Sequence, residues 1–436
     1  MPNHNMPIPV DSALALPVPE PILVILLVVS FLAHIVFVNM MVGGVLLTFY
    51  YQIKGLKDKK WDHFAHEIAQ TTSVNKSMAV VLGVAPLLTI NALYSIYFYT
   101  SMSLTGYAWV AIIPLVTVAF ALVYLHKYTW DYFANKRVMH IAILFLAVLC
   151  FLFIPLIFLS NVHLMASPEL WTSIHGFLSS LTQWVIWPRY VLFILLCLTV
   201  SGLFLFAYFG RQKEIFEENP ELPTQQEIQI RGLKLAFYTL LAQIILSPLM
   251  LMAANSRGLS SLFFVILGLG GLFAIGVLIA LYKNIYHSPL KFLHMKKVWI
   301  LSLFCLVALG AARQEFRRAS LEEHREAVRI KSESFYKKSE QAWAEAQALK
   351  ALAKPPLELG KDVYEQNCSA CHALDSKVVG PSMKEGLKPY VGKVAELQKW
   401  IETPGKKDPS LPQMPGFPSL SEEEMSGLLE YLQSLK

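Results

Sequence analysis

One short motif near the C-terminus carries the most specific chemistry in the chain. Cys368 and Cys371 are separated by two residues, and His372 follows directly. Two thiols at this spacing can form thioethers with the vinyl groups of a haem, and the adjacent imidazole can bind its iron. A structural zinc half-site is the alternative for such a pair of cysteines. The motif predicts one covalently attached haem c, with His372 as an axial ligand.

Residues downstream of the motif fit the same chemistry. Gly380-Pro381 is a bend that can place a backbone carbonyl against the other nitrogen of the His372 ring. Met414 can supply a thioether as the sixth ligand, with Met383 as the second candidate. Such a haem has no open position and relays electrons. In these features residues 357–436 resemble class I cytochrome c, which implies a small helical domain around one haem.

The rest of the chain is too apolar for a soluble protein. Mean hydropathy is +0.47, and only 16% of residues are charged, against about a quarter in soluble domains. We expect an all-α fold in which a polytopic bundle of about eight transmembrane helices precedes the cytochrome c helical domain. The predicted segments are a membrane domain at 1–312, a charged helical connector at 313–356 and the haem domain at 357–436. Apolar stretches that can cross about 30 Å of hydrocarbon lie at 21–52, 75–100, 107–126, 138–160, 188–209, 233–253, 260–283 and 293–312.

The charge distribution predicts the topology. Basic residues concentrate in the segments that join each odd span to the next even one, so by the positive-inside rule the N-terminus is outside. Eight crossings return the last domain to that side, where c-type haem is attached. We therefore expect a protein of the bacterial inner membrane, in contact with the lipid bilayer, with its N-terminus and haem c domain in the periplasm. The net charge of +6 lies mostly in loops, and no nucleic-acid partner is expected.

Four membrane segments resemble subunit I of cytochrome bd quinol oxidase. FLAHIVFVNMMVGGVLLTFYYQ and NKSMAVVLGVAPLLTINALYSIYFYTS look like its first two helices, and the likeness continues in SLFFVILGLGGLFAIGVLIALYK and in GAARQEFRRASL, the ending of the eighth helix. The resemblance implies that His34 and Glu315 are ligands of a b-type or d-type membrane haem, and that Arg318 pairs with a haem propionate. A histidine in a membrane helix is costly unless ligated or paired, which independently favours a role for His34. The alternatives are a hydrogen bond from His34 to a neighbouring helix and a solvated salt-bridge cluster around Glu315.

Other parts of that family's pattern are missing. Phe193 and Ile266 stand where the family has the His and Met ligands of its quinol-side haem, and the short segment 254–260 replaces its long quinol-binding loop. The resemblance therefore implies that the haem c replaces quinol as the electron port. His163 and His175 are further candidate haem ligands.

Two further groups of side chains, one of histidines and one of lysines, are expected at surfaces. His126 and His140 end two predicted spans and are expected at the membrane interface. Six lysines of the last domain form a possible docking ring for an acidic partner, with an ordinary solvated face as the alternative. They are Lys377, Lys384, Lys388, Lys393, Lys406 and Lys407.

These features lead to two hypotheses. In the first, a cytochrome bd-like oxidoreductase transfers respiratory electrons through its haem c, between a periplasmic cytochrome or redox enzyme and a membrane haem or quinone. In the second, the chain is a non-catalytic membrane anchor and electron wire for a larger complex with other membrane subunits. The sequence leaves open whether the subunit is catalytic, the direction of electron flow, and whether oxygen, nitric oxide or a quinone is the acceptor.

Overall fold

The computed structural model describes residues 16–74, 76–287, 292–352, 354–406, 409 and 412–435. In this part of the chain the α-helices and short 3-10 or π segments are the regular structure, and no β-strand forms. The chain divides into unit 1, Met1–Glu333, and unit 2, Ser334–Lys436. The helices are α1 Glu20–Gly55, α2 Lys59–Val74, α3 Lys76–Leu93, α4 Ser95–Thr105, α5 Tyr107–Tyr128, α6 Arg137–Met165, α7 Phe177–Ser180, α8 Ile186–Phe209, α9 Lys213–Glu218, α10 Gln225–Ala253, α11 Ser261–Tyr282, α12 Phe292–Leu352, α13 Pro356–Asn367, α14 Met383–Leu387, α15 Val394–Glu402 and α16 Glu422–Ser434.

Unit 1 contains the helices that can cross a membrane. Among the described residues, seven helices are long and apolar enough, namely α1, α5, α6, α8, α10, α11 and the Met295–Ala346 part of α12. Helices α3 and α4 pass the same test only as a pair, bent by 111°, so the described part of the chain has seven candidate spans, or eight if this pair is counted as one. These spans coincide with the eight apolar stretches of the sequence. The predicted all-α, multi-pass membrane architecture is confirmed.

The bend between α3 and α4 lies at Tyr94, whose backbone leaves the helical region at φ −131° and ψ 38°. Its side chain is buried among aromatic and aliphatic neighbours that include Phe98 and Met165. Its hydroxyl accepts a hydrogen bond from Gln314 of α12 at 2.8 Å. Side-chain packing and this hydrogen bond hold the kink, so the predicted span 75–100 is not a single straight helix.

Small residues let the membrane helices approach closely. A Cβ atom on Gly43 of α1 would overlap Ser201 and the Cys197 carbonyl of α8. Gly202 of α8 and Gly232 of α10 face each other in the same way, since a Cβ atom on either would lie 2.6 Å from the carbonyl oxygen of the other. Close backbone contact through small residues is the usual basis of helix packing in lipid.

Helix α12 continues without a break through the segment 313–352 that was predicted as a connector. Its first turns after Ala312 are packed within unit 1, where Phe316, Leu321 and Val328 are buried. Arg325 forms an ion pair with Glu20 of α1 at 3.0 Å. Because these apolar side chains recur at helical spacing among charged ones, the packed part of unit 1 extends well past residue 312.

Unit 2 is a small helical domain with its own apolar core. Helix α13 crosses α16 at two glycines, and a Cβ atom on Gly360 would overlap the carbonyl of Gly427. Helix α16 begins with a capping box, in which the backbone N–H of Glu424 donates to the Ser421 hydroxyl and the Ser421 N–H donates to the Glu424 carboxylate. The domain therefore closes by joining its first and last helices.

Candidate functional site

The Cys-x-x-Cys-His motif occupies a single turn directly after α13. The backbone N–H groups of Cys371 and His372 both donate to the Cys368 carbonyl, at 3.1 and 2.9 Å. Both cysteines are free thiols. Cys368 is buried against the core of unit 2, and this burial raises the pKa of its thiol to about 11. The turn thus presents two thiols and one imidazole together.

The His372 ring is oriented by the bend that follows it. Its Nδ1–H donates to the Pro381 carbonyl at 2.8 Å, the contact expected from the sequence. The Gly380 N–H in turn donates to the Cys371 carbonyl at 3.0 Å. A Cβ atom on Gly380 would overlap the imidazole ring. This packing fixes the ring and leaves Nε2 as the nitrogen for a metal, the usual arrangement around a ligating histidine.

Met414 lies in a loop that is anchored on both sides. Gln413 donates from its side-chain amide to the Pro404 carbonyl at 2.7 Å, and the Phe417 N–H donates to the Ile401 carbonyl at 3.0 Å. Met383, by contrast, is 9% exposed and belongs to the apolar core of unit 2. Of the two methionines, Met414 is therefore the better placed to act as a ligand.

These donors fit one covalently attached haem c. The fit depends on two free thiols in one turn, an imidazole whose Nδ1 is already bonded, and a thioether in an anchored loop. The lysines of the predicted docking ring are exposed where the structure describes them, although Lys384 pairs with Asp375 and Lys393 with Glu396. Lys407 lies outside the described residues.

The membrane candidate His34 faces helix α3. Its Nδ1 lies 2.9 Å from the Ala79 carbonyl, and its ring packs against Gly83. The hydrogen bond to a neighbouring helix, one of the two sequence interpretations, is therefore present. Because this hydrogen bond uses Nδ1, Nε2 is the ring nitrogen that remains for another contact.

The second membrane candidate, Glu315, has different neighbours. Its carboxylate accepts hydrogen bonds from Arg318 at 2.8 and 2.9 Å and from the Ser260 hydroxyl at 2.9 Å. None of these hydrogen bonds joins Glu315 to His34. Among the described residues, no cluster of three or more His, Cys, Asp or Glu side chains could hold a metal ion. Glu315 borders a cavity of about 270 Å³ whose other lining residues are Glu20, Val24, Val28, Ile266, Ala311, Gln314 and Arg318.

The other histidines divide into buried and exposed groups. His175 is exposed, whereas His163 of α6 is only 6% exposed. His126 and His140, expected at the membrane interface, are fully buried inside the bundle with their rings stacked at 3.9 Å. Gln52 bridges them through contacts of 2.9 and 2.8 Å, which compensates the burial of both imidazoles.

Sequence reasoning missed two arginines with buried atoms in unit 1. The Nε atom of Arg189 on α8 is buried, and so is the side chain of Arg317 on α12. The available signal was Arg189 itself, a rare basic residue on a side of the membrane domain otherwise poor in them.

Comparisons with known proteins agree with both parts of the chain. The cytochrome c family matches residues 357–436. Cytochrome c-551 of Azotobacter vinelandii is 36% identical over 83 residues, which are all of that protein and 18% of this chain. Cytochrome c oxidase subunit 2 of Alkalihalophilus pseudofirmus is 35% identical over 111 residues, 22% of this chain, and the match spans only 31% of that protein.

A solved structure resembles the larger part of the chain. The bd oxidase from Geobacillus thermodenitrificans superposes with a TM-score of 0.50, over 69% of this chain and 85% of that one, at 13% sequence identity. At this identity the likeness concerns the fold alone. It confirms the predicted bd-like architecture, and the haem-binding domain identifies a membrane protein of haem-based electron transfer.

Proposed function

The C-terminal part of this chain, residues 357–436, belongs to the cytochrome c family, and on this basis we propose that the protein carries respiratory electrons through a covalently bound haem c. One partner is a periplasmic cytochrome or redox enzyme, and the other is a membrane haem or a quinone. The observation that carries the proposal is the His372 ring, held by the Pro381 carbonyl beside the free thiols of Cys368 and Cys371.

When bound, the haem supplies reversible one-electron transfer. The chain's own residues tune this property. The Pro381 carbonyl orients His372 and makes it a stronger ligand, because it accepts the Nδ1 proton. A thioether from Met414 raises the reduction potential relative to a second imidazole. If His372 and Met414 both held the iron, the domain would relay electrons and would leave bond chemistry to another site.

In the membrane part, His34 and Glu315 are the proposed ligands of a haem of b or d type, with Arg318 as partner of a propionate. The His34 ring is oriented as metal-binding histidines usually are. Its Nδ1 faces the Ala79 carbonyl, so Nε2 is the nitrogen that remains for a metal. The cavity beside Glu315 and Arg318 supports a ligand there. Its volume is near the lower end of the range of about 300–1,000 Å³ for small-molecule sites.

The proposed orientation places the N-terminus and the haem c domain in the periplasm. Support comes from the basic residues that follow α1, where Lys54, Lys57, Lys59 and Lys60 lie at the end opposite to Glu20. The cytoplasmic side of a membrane protein is enriched in such residues.

A second candidate function is a membrane anchor and electron wire without a reactive site. One observation favours it. Glu315 already has both carboxylate oxygens bonded to Arg318 and Ser260, and His34 is hydrogen-bonded to Ala79 of α3, so each side chain has a protein partner that accounts for it without a haem.

Haem analysis of the purified protein separates the two functions. We expect a reduced pyridine haemochrome spectrum with one haem c and additional non-covalent haem, and a spectral shift when CO is added to the reduced sample. His34→Ala and Glu315→Gln should lose the additional haem, whereas His287→Ala, a control at an exposed histidine of unit 1, should keep it. Haem c alone in the wild-type protein would overturn the membrane-haem assignment and favour the anchor function.

A further inference from the structure

Three arginines converge inside unit 1 at the end of the bundle where α1 begins. Arg189 lies on α8, and Arg313 and Arg317 lie one helical turn apart on α12. Arg189 and Arg317 are each within electrostatic reach of Arg313. Arg317 is 6% exposed, and the Nε atom of Arg189 is fully buried. We call this group the arginine chamber.

The chamber has no acidic partner among the residues that the structure describes. Each carboxylate near this end of the bundle is paired with an arginine outside the chamber. The pairs are Glu20 with Arg325, Glu169 and Glu323 with Arg257, and Glu315 and Glu322 with Arg318.

The contacts that the chamber arginines do make are neutral. The Arg313 guanidinium lies 4.1 Å from the ring centroid of Phe31, and that of Arg189 lies 5.4 Å from that of Phe316. Arg317 donates to the Gln314 amide oxygen at 2.8 Å. Aromatic faces and an amide offset only part of the cost of three clustered charges.

Helix α6 adds buried polar groups to the same region. His163 and Ser160 are three residues apart and therefore share a face of α6, and both are buried. Arg189 lies within electrostatic reach of His163. The His163 Nε2, the Ser160 Oγ and the Arg189 Nε have no hydrogen-bond partner within the described part of the chain. Buried polar atoms of this kind normally have a partner.

We propose that the arginine chamber binds the oxyanion head of an acidic ligand, with His163 and Ser160 as additional contacts. Guanidinium groups match carboxylate and phosphate oxygens in geometry and charge, and like charges buried in a membrane protein require a counter-charge. The ligand head is a carboxylate or a phosphate, and its two sources are the propionates of a membrane haem and the headgroup of an acidic lipid. This site uses other residues than the Glu315 and Arg318 pair and does not depend on the haem c; the propionate source rests on the proposed membrane haem, and the lipid source does not.

The first experiment measures binding in two arms. Delipidated full-length protein is titrated with phosphatidylglycerol and with phosphatidylcholine under native mass spectrometry, and non-covalent haem is quantified after purification. Arg189→Gln and Arg313→Gln should reduce phosphatidylglycerol binding or haem retention by about tenfold or more, since each removes a charge-assisted contact. The affected arm identifies the source. Arg257→Gln, a control at the same end whose arginine pairs with Glu169, should change neither. If both arms are unchanged, the proposal is overturned.

Thermal unfolding gives a second, independent readout. In an occupied chamber, Arg313→Gln removes an anion contact and lowers the unfolding temperature of unit 1. In an empty chamber, the same substitution relieves repulsion and raises it, which would overturn the proposal. Arg313→Lys keeps the charge but loses the planar fork. The Arg313→Lys variant should fold normally and bind phosphatidylglycerol or haem more weakly than the wild-type protein. It therefore tests the proposal even if Arg313→Gln does not fold.

Discussion

His372 in unit 2 and His34 in unit 1 have nearly the same surroundings but acquire them differently. Each turns Nδ1 to a backbone carbonyl, at 2.8 Å for His372 and 2.9 Å for His34. The carbonyl belongs to a residue 9 positions away for His372 and 45 positions away, on another helix, for His34. Orientation of the first ring is thus encoded locally, whereas orientation of the second depends on how α1 and α3 pack.

A glycine completes both environments. Gly380 packs against the His372 ring and Gly83 against the His34 ring, and a Cβ atom at either position would be too close to the imidazole. The comparison teaches that a well-oriented imidazole is not by itself a ligand. His372 also has two thiols in the same turn. His34 has no such local partners, and the carboxylate of Glu315, its proposed fellow ligand, is bonded to Arg318.

Cys371→Ala tests the contrast between His372 and His34 and has the largest expected effect, a loss of covalent haem. It removes one of the two thioether bonds while leaving unit 1 unchanged, so covalent haem staining of the denatured protein should fall to a small fraction of the wild-type value. Cys305→Ala, in the membrane part of α12, is the matched control and should stain normally. A double variant without the thiols of Cys368 and Cys371 should not stain at all, and staining of that variant would show that the motif is not the attachment site.

Gly380→Ala and Gly83→Ala test the two glycines directly. Overpacking against a fixed ring costs about 1–3 kcal/mol, so each should lower the unfolding free energy of its own unit, measured by chemical denaturation. Gly380→Ala should also weaken haem c attachment. Gly386→Ala is the control, because its nearest neighbour is the Pro381 ring at 3.7 Å. Equal losses in Gly380→Ala and Gly386→Ala would contradict the packing role of Gly380.

Met414→Ala should change electronic properties more than stability. Loss of a thioether ligand lowers the reduction potential of the haem c by about 0.1 V or more, as axial ligands set haem potentials over a wide range. Redox titration followed by absorbance measures this. Met383→Leu, which keeps an apolar side chain in the core, should leave the potential unchanged. The reverse result would assign the sixth position to Met383.

Ser421→Ala has the smallest expected effect, because it removes only the cap of α16. We expect a loss of about 1 kcal/mol in the unfolding free energy of unit 2, measured by chemical denaturation. Ser434→Ala, at the other end of the same helix, should have less effect.

The cap also predicts a pH dependence. The Ser421 backbone N–H and hydroxyl hold the pKa of Glu424 below its usual value of 4.5. The stabilisation from this contact is therefore present at neutral pH and disappears as the pH falls through the lowered pKa. Denaturation of Glu424→Gln and wild-type protein across that range should converge at the acidic end, and a constant difference would contradict the cap.

Much of the fold follows from hydropathy alone. Seven predicted spans each correspond to one helix and the span 75–100 to the bent pair α3 and α4, because apolar runs of this length have no other stable state in lipid. The kink at Tyr94 was not predictable, since it depends on contacts with Phe98, Met165 and the distant Gln314. The burial of residues after Ala312 was also missed, because charged residues between the apolar ones gave that segment the composition of an exposed helix.

The candidate sites also differ in how far they can be predicted from local sequence. Cys368, Cys371, His372 and the Pro381 carbonyl lie within 14 consecutive residues, so local spacing was enough to propose them. The arginine chamber comes from α8 and α12, and its neighbours His163 and Ser160 come from α6. These helices meet only in the folded bundle. Arg313 and Arg317 therefore looked like members of a solvated salt-bridge cluster until their neighbours were known.

Helix α12 has a consequence for how the protein is made and used. It begins in unit 1 and ends in unit 2, so both units come from one polypeptide. Every membrane domain is therefore synthesised with one haem c domain, and their stoichiometry does not depend on relative expression. Under the proposed function, electron exchange between the haem c and a membrane haem would be first-order in protein, so dilution or competition from free cytochromes would not remove the partner. A soluble cytochrome, by contrast, must find its membrane partner by diffusion for each turnover.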